Sequence, residues 1–220
     1  MPPCAVYQKR EFCGIIYRKR RKEKDMKKIH LIRHGITEGN LKRWHYGWAD
    51  IPLAPEGIEK LKKLREENIY PQPENAEYYT SGMLRAEQTF AVIYGERAHQ
   101  AAEKMKEMNF GEFEKKTYEE LKDDPRYTEW MKDLTGAVSL PGGESKNGFF
   151  MRIMEGFKEL TSGIGDGGEL VCVCHGGVIA CVMMDLFGSE MKEFPMWIPE
   201  PGRGYSIILN GPEGNSYKDI

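Results

Sequence analysis

Apolar and polar positions along this chain fall into two alternating kinds of stretch. Short continuous apolar runs, bounded by glycine, proline or charge, alternate with longer stretches in which apolar residues recur every three or four positions. The first run, Ile29–Arg33, reads as a buried strand that stops abruptly at Arg33-His34-Gly35, with Thr37 and Asn40 suited to cap a helix start. Leu41–Asp50, rich in glycine and aromatics, reads as a loop. Glu56–Glu67 reads as a helix with Ile58, Leu61 and Leu64 on one face and Pro55 at its first turn. A short strand is expected over Glu77–Thr80, followed by a helix from Ser81 to about Gly95 that carries Arg85 in its first turn. Residues 99–107 offer a weak third strand. Thr117–Lys122 and Arg126–Leu134 read as short helices split by Pro125. The turn Pro141–Ser145 feeds a longer helix to about Leu160, with Phe149, Phe150, Ile153, Met154 and Phe157 inward. Leu170–Cys174 is the unbroken apolar run of a central parallel strand. It ends in His175-Gly176-Gly177 and leads into a buried helix, Val178–Phe187, with Tyr205–Leu209 as the last strand. Strands alternating with helices imply an α/β layered sheet.

Composition narrows the picture. The 220 residues suit one core, and 40% hydrophobic with 30% charged residues is ordinary for a globular domain. No apolar run reaches the roughly 18–20 residues that span a bilayer, so no membrane partner is expected. The formal charge of −2 hides an asymmetry. Residues 1–28 hold ten Lys/Arg against three Asp/Glu, which leaves 22 against 31 for the rest. An acidic folded region argues against nucleic-acid binding. Residues 1–25 read as a basic tail, too weakly apolar at Gly14–Ile16 for a signal peptide. The folded domain is expected to span 26–220, with Met26 as the natural start. Five cysteines without zinc-site or disulfide spacing are expected to be reduced thiols of a cytoplasmic protein.

The candidate chemistry lies where the two most apolar strands end. Ile29–Arg33 and Leu170–Cys174 both run into a histidine, a glycine and a helix. As central neighbours they would bring His34 and His175 together at the carboxyl end of the sheet, where open α/β sheets bind ligands and helix N-termini hold anions. Two histidines with Arg33 and Arg85 suit a dianionic phosphoryl group. One imidazole can attack phosphorus, and a carboxylic acid can protonate the leaving oxygen. No acidic cluster suited to Mg²⁺ lies near these motifs, so no metal and no cofactor are expected. His30 and His45 read as structural or loop residues and His99 as surface.

Six stretches, in order, resemble the motifs of the histidine phosphatase superfamily, phosphoglycerate-mutase-like branch. They are Leu31–Asn40, Tyr46–Leu53, Ser81–Thr89, Met105–Gly111, Pro141–Ser145 and Val173–Ile179. The resemblance covers about residues 27–210. It implies a three-layer α/β/α sandwich with a mainly parallel sheet. Carried over by position, it implies His34 as the nucleophile that becomes phosphohistidine. Arg33, Arg85 and His175 would hold the phosphoryl oxygens, Asn40 would add a hydrogen bond, and Glu107 would be the general acid, with Glu112 and Glu114 close by. The loop motif adds Tyr46 and Gly47 to the substrate-binding set. Two positions depart from the family pattern: Ala54 replaces the usual threonine before Pro55, and Phe113-Glu114-Lys115 replaces Trp-Glu-Gly, which changes the wall near the acid.

The expected function is metal-independent hydrolysis of small-molecule phosphate monoesters, α-ribazole phosphate being one candidate. The alternative is a cofactor-dependent phosphoglycerate mutase, and a third reading is an inactive module that binds phosphorylated ligands. Family mutases grip a carboxylated substrate through an inserted segment with paired arginines. Here only Arg126 lies between Lys122 and Pro141. The turn Pro141–Ser145 and the His-Gly-Gly motif resemble the α-ribazole phosphatase and broad-specificity phosphatase members. Trp44, Tyr46, Trp48 and Phe113 suggest an aromatic pocket wall that fits a bulky ester.

Overall fold

The structure, a computed structural model, describes residues 26–188, 193–211 and 214–220. The basic tail and the expectation about Met26 lie outside the described residues.

The first strand, β1 (Lys27–Arg33), is central because neither of its faces tolerates water. Ile29 and Leu31 project to one side and Ile32 to the other, all fully buried. At about 1.5–3 kcal/mol for each such side chain, this burial fixes the strand's position in the sheet. Its parallel neighbour β6 (Glu169–Cys174) sorts the same way: Leu170, Cys172 and Cys174 to one face, Val171 and Val173 to the other. The register pairs Ile29 with Leu170 and Arg33 with Cys174, so both strands end at one level. β3 (Glu77–Thr80) and β4 (Gln100–Ala101) extend the parallel side, while β7 (Gly204–Gly211) and β8 (Gly214–Asp219) close the other edge antiparallel. The strand order is β4-β3-β6-β1-β7-β8.

Helices cover both faces. α2 (Pro55–Glu66) and α3 (Leu84–Tyr94) follow α1 (Glu38–Leu41) and pack on the Ile32/Val173 face through Leu61, Leu64, Phe90 and Ile93. Later in the chain come α4 (Tyr118–Leu121), α5 (Pro125–Lys132), α6 (Lys146–Gly163) and α7 (Gly176–Phe187). α6 and α7 pack on the opposite face through Phe149, Ile153, Phe157, Val178, Ile179 and Val182. The result is the expected three-layer α/β/α sandwich with a mainly parallel sheet. A two-stranded ribbon, β2 (Trp44–His45) with β5 (Lys116–Thr117), ties the loop after β1 to the segment after Glu107.

Two sequence expectations change, and two elements appear that the sequence pattern does not predict. The strand expected over 99–107 shrinks to Gln100–Ala101, after which Glu103–Met105 forms a 3₁₀ turn. The turn carries the chain back over the sheet's carboxyl edge and delivers Glu107 to the start of α7. Ser81 is not in a helix: α3 starts at Leu84, and Ser81 sits at the end of β3. β8 and the β2–β5 ribbon carry no hydrophobic pattern and were not anticipated. β8 is nearly all exposed, so nothing selects alternation along it.

Candidate active site

The carboxyl ends of β3, β6 and β1 bring the motif residues together. The His34 amide donates to the Cys174 carbonyl (3.0 Å) and the Ser81 amide to that of Val173 (3.1 Å), which continues the sheet one residue past each strand. This stacks the rings of His34 and His175 edge to face with centroids 5.2 Å apart. The Gly35 amide donates to Thr89 Oγ1 (2.9 Å), and Thr89 Oγ1 donates to the Arg85 carbonyl (2.7 Å), so the Arg-His-Gly turn is seated on the helix that carries Arg85.

His34 is buried, and its Nδ1 lies 2.7 Å from the Gly35 carbonyl. A carbonyl only accepts, so Nδ1 carries the proton and Nε2 the lone pair. Burial, then Arg85, then Arg33 hold the imidazolium form well below its usual range, and the ring is neutral at pH 7. His175 is fully buried and shifted the same way by burial, Arg85, His34 and Arg33. Its Nε2 lies 2.8 Å from Ser81 Oγ, which also accepts a long bond from the Met83 amide (3.4 Å). When Ser81 gives its hydroxyl proton to Nε2, the His175 proton resides on Nδ1. The sequence pattern places Ser81 at a helix start; its place in the Ser81–Thr89 motif is the signal for its role here.

The two arginines are gripped by main-chain carbonyls and leave nitrogen unspent. Arg33 Nη1 donates to Pro199 O (2.7 Å), Arg85 Nη1 to Ala49 O (3.1 Å) and Nη2 to Gly47 O (2.7 Å). Among the described residues, Arg33 Nε, Arg85 Nε and His175 Nδ1 are buried with no hydrogen-bond partner. Burying unpaired donors costs about 1–3 kcal/mol each, and three at one place mark a site shaped for an anion's oxygens. Burial lowers both guanidinium pKa values, and Tyr46 and Glu107 oppose the shift, yet both groups stay charged.

Glu107 sits on the first turn of α7. Its Oε2 accepts from the Gly177 amide (2.9 Å) and its Oε1 from the Met108 amide (3.0 Å). Glu107, His34 and Arg33 line a cavity of about 960 Å³, while Arg85 and His175 are buried and do not line it. The other two carboxylates go elsewhere. Glu112 is exposed and paired with Arg126 (2.9 Å), and Glu114 accepts from the amides of Gly47, Trp48, Ala49 and Phe110. Asn40 lines the cavity. Its Oδ1 accepts from the Thr37 amide (2.9 Å) in a capping box, which leaves its NH₂ group to donate. Tyr46 lines the cavity with its hydroxyl 2.7 Å from Thr37 Oγ1 and its ring centroid 5.1 Å from the Arg85 guanidinium carbon. Burial raises its pKa, so it remains a neutral phenol. Gly47 is not among the residues that line the cavity, and its amide and carbonyl are both taken, by Glu114 and Arg85. It bears on the site through Arg85.

The aromatic wall differs from the one expected. Trp44 and Tyr46 belong to it, but Phe113 is buried in the core against Tyr127, and Trp48 is about half exposed with its indole N–H donated to the Glu107 carbonyl (3.0 Å). Phe110, Trp130, Phe149, Phe150 and Phe194 complete the wall from segments distant in sequence. Arg126 is on the surface, bound to Asp124 and Glu112, and does not line the cavity. His30 and His45 are held by protein groups, and His99 is exposed, as the sequence suggested. Among the described residues no cluster of three or more His, Cys, Asp or Glu could hold a metal ion.

A sheet that delivers two histidines and two arginines to one polar end defines a phosphoryl-handling α/β enzyme, and comparison with known proteins gives its family. The family model described as histidine phosphatase superfamily (branch 1) matches residues 29–216, and the chain belongs to that superfamily. The adenosylcobalamin/alpha-ribazole phosphatase of Escherichia coli is 27% identical over 174 residues, covering 77% of this chain and 83% of the relative. The 2,3-bisphosphoglycerate-dependent phosphoglycerate mutase of Cytophaga hutchinsonii is 26% identical over 165 residues, covering 71% and 75%. Among solved structures, the alpha-ribazole-5'-P phosphatase of E. coli superposes with a TM-score of 0.75 at 22% identity, over 88% of this chain and 95% of that one. At that identity the likeness concerns the fold. No helix among the described residues is long and apolar enough to cross a membrane.

Proposed function

We propose that this enzyme is a metal-independent phosphatase that hydrolyses phosphate monoesters through a phosphohistidine at His34. The observation that carries the reading is the set of buried, unpartnered donors on Arg33, Arg85 and His175 around an imidazole whose Nε2 holds the lone pair. In the first step Nε2 forms a bond to phosphorus and the bond to the leaving oxygen breaks with its electron pair. Glu107 gives its proton to that oxygen. In the second step water attacks phosphorus, Glu107 takes the water's proton, and the N–P electron pair returns to Nε2. Arg33, Arg85, His175 and the Asn40 amide hold the oxygens on which charge develops.

The cavity supports a bulky, largely apolar leaving group. Trp44, Phe110, Trp130, Phe149 and Phe150 surround space for a fused-ring ester, and a nucleotide such as α-ribazole phosphate is the first candidate, in line with the phosphatase relatives. The relatives named phosphoglycerate mutase favour the second reading, but Arg126, the arginine a mutase would need in this segment, is spent on the surface. The buried free thiols of Cys172, Cys174 and Cys181 support a cytoplasmic location.

The test is turnover of a labelled aryl phosphate in EDTA, with the protein quenched in alkaline detergent to trap labelled phosphohistidine. Release of phosphate, with label lost in His34→Ala, is the expected result. Interconversion of phosphoglycerates without net hydrolysis would replace the reading with a mutase, and phosphate binding without turnover would replace it with a binding module.

A further inference from the structure

We propose that Glu114 is a positioning residue for Arg85, acting through one peptide plane of the 47–49 loop; this rests on the phosphatase reading above. The Gly47–Trp48 peptide presents its two polar groups in opposite directions, as any trans peptide must. Its N–H, that of Trp48, donates to Glu114 Oε1 (2.9 Å), and its carbonyl, that of Gly47, accepts from Arg85 Nη2 (2.7 Å). The carboxylate and the guanidinium therefore address one rigid plane from its two edges. The amides on either side, Gly47 (2.9 Å to Oε2) and Ala49 (3.0 Å to Oε2), fix the rotation of that plane. Three successive amides turned onto one carboxylate form an anion-binding concavity, and this one is filled from within the protein.

The same carboxylate joins two parts of the site. Its Oε1 also accepts from the Phe110 amide (2.9 Å), in the segment that follows Glu107. The loop is pressed onto that segment so closely that a Cβ at Gly47 would fall on the Met108 carbonyl oxygen. Among the described residues Glu114 makes no ion pair, and Arg85 makes none either. With no carboxylate among the described residues bonded to it, the Arg85 guanidinium keeps donors for an incoming anion, while its direction is set by carbonyls that Glu114 holds in place. A carboxylate bonded directly to Arg85 would orient it equally well but would offset the charge the phosphoryl group needs.

The experiment is a double-mutant cycle with Glu114→Gln and Arg85→Ala, read by calorimetric binding of inorganic phosphate and by kcat/KM on an aryl phosphate. Glutamine keeps one acceptor oxygen but turns an NH₂ group towards amide donors. Binding and kcat/KM are expected to fall together by about tenfold to a hundredfold, the scale of a misplaced catalytic contact. In the Arg85→Ala background the same substitution should cost less than about twofold. Equal losses in both backgrounds would overturn the proposal, because they would mean that Glu114 only stabilises the fold. If Glu114→Gln fails to fold, Glu114→Asp is carried through the same cycle; it keeps the charge, and a smaller coupling of the same sign is expected, while none overturns the proposal. A wild-type protein that binds phosphate without hydrolysing any monoester would sink the phosphatase reading and leave the coupling measurable. A wild-type protein that turns over but shows no coupling would sink only the role of Glu114.

Discussion

His30 and His34 lie four positions apart, one within β1 and one just beyond it, and both are buried, yet their surroundings give them opposite uses. The Nδ1 of His30 lies 2.8 Å from Ser206 Oγ and its Nε2 donates to Glu169 at 2.8 Å, so both ring nitrogens are engaged by side chains. Burial lowers its pKa, and the Glu169 bond and charge pull it partly back. His34 spends one nitrogen on its neighbour's carbonyl, has no carboxylate bonded to it among the described residues, and lies beside two guanidinium groups that push its pKa further down. A histidine with both nitrogens paired is a cross-link between strands. One with a free lone pair among unpaired cationic donors is built for a phosphoryl group.

The sharpest way to break this contrast is to exchange the losses. His34→Ala should abolish turnover, by on the order of 10⁴-fold, with melting little changed. Arg85→Ala should cost about 10²–10³-fold in kcat, as removal of one transition-state donor does, and should weaken phosphate binding. His30→Ala should show the reverse pattern: near-normal turnover but a loss of about 1–3 kcal/mol in denaturant unfolding, because Ser206 and Glu169 lose their partner. If His30→Ala abolished turnover with stability intact, the distinction drawn here would be wrong.

Acidity probes what the two rings share. Each has a folded-state pKa below its unfolded value of about 6.5, so between the two values the unfolded chain binds more protons. Stability is then full above about pH 6.5 and declines as pH falls below it. Equilibrium unfolding across pH 7 to 5 should show this decline, and His34→Asn should flatten it. The smallest effect concerns Ala54, which caps α2 without any side-chain hydrogen bond. Ala54→Ser should raise the unfolding free energy by about 0.5–1 kcal/mol without touching kcat.

The site was legible in part because its pieces are local. An apolar strand that ends in Arg33-His34-Gly35 carries its meaning within a few residues, and so does Ser81–Thr89. The two departures from the family pattern acquire a physical sense. Lys115 adopts φ +61°, the left-handed conformation that explains why glycine is usual there, and its amide donates to His45 O (2.8 Å). What could not be read was whatever depends on long-range neighbours. Phe113 looked like pocket wall but points into the core, and Phe110, three residues earlier, lines the cavity instead. Three nearby glutamates were equivalent by composition. Position in the motif favours Glu107, and the fold puts it on the α7 first turn, Glu112 on the surface and Glu114 under the arginine loop.

The sequence by itself determined which strands are buried on both faces, where each ends, and therefore which side chains arrive at the carboxyl edge of the sheet. That information is local, because a run of apolar residues and the turn that stops it are contiguous in the chain. The tertiary structure alone decided the β1–β6 register that sets His34 against His175, the carbonyls that aim Arg85, and the composition of the cavity wall. Each of these is a contact between residues tens of positions apart. Their geometry follows from how whole strands and helices pack, and no local pattern encodes it.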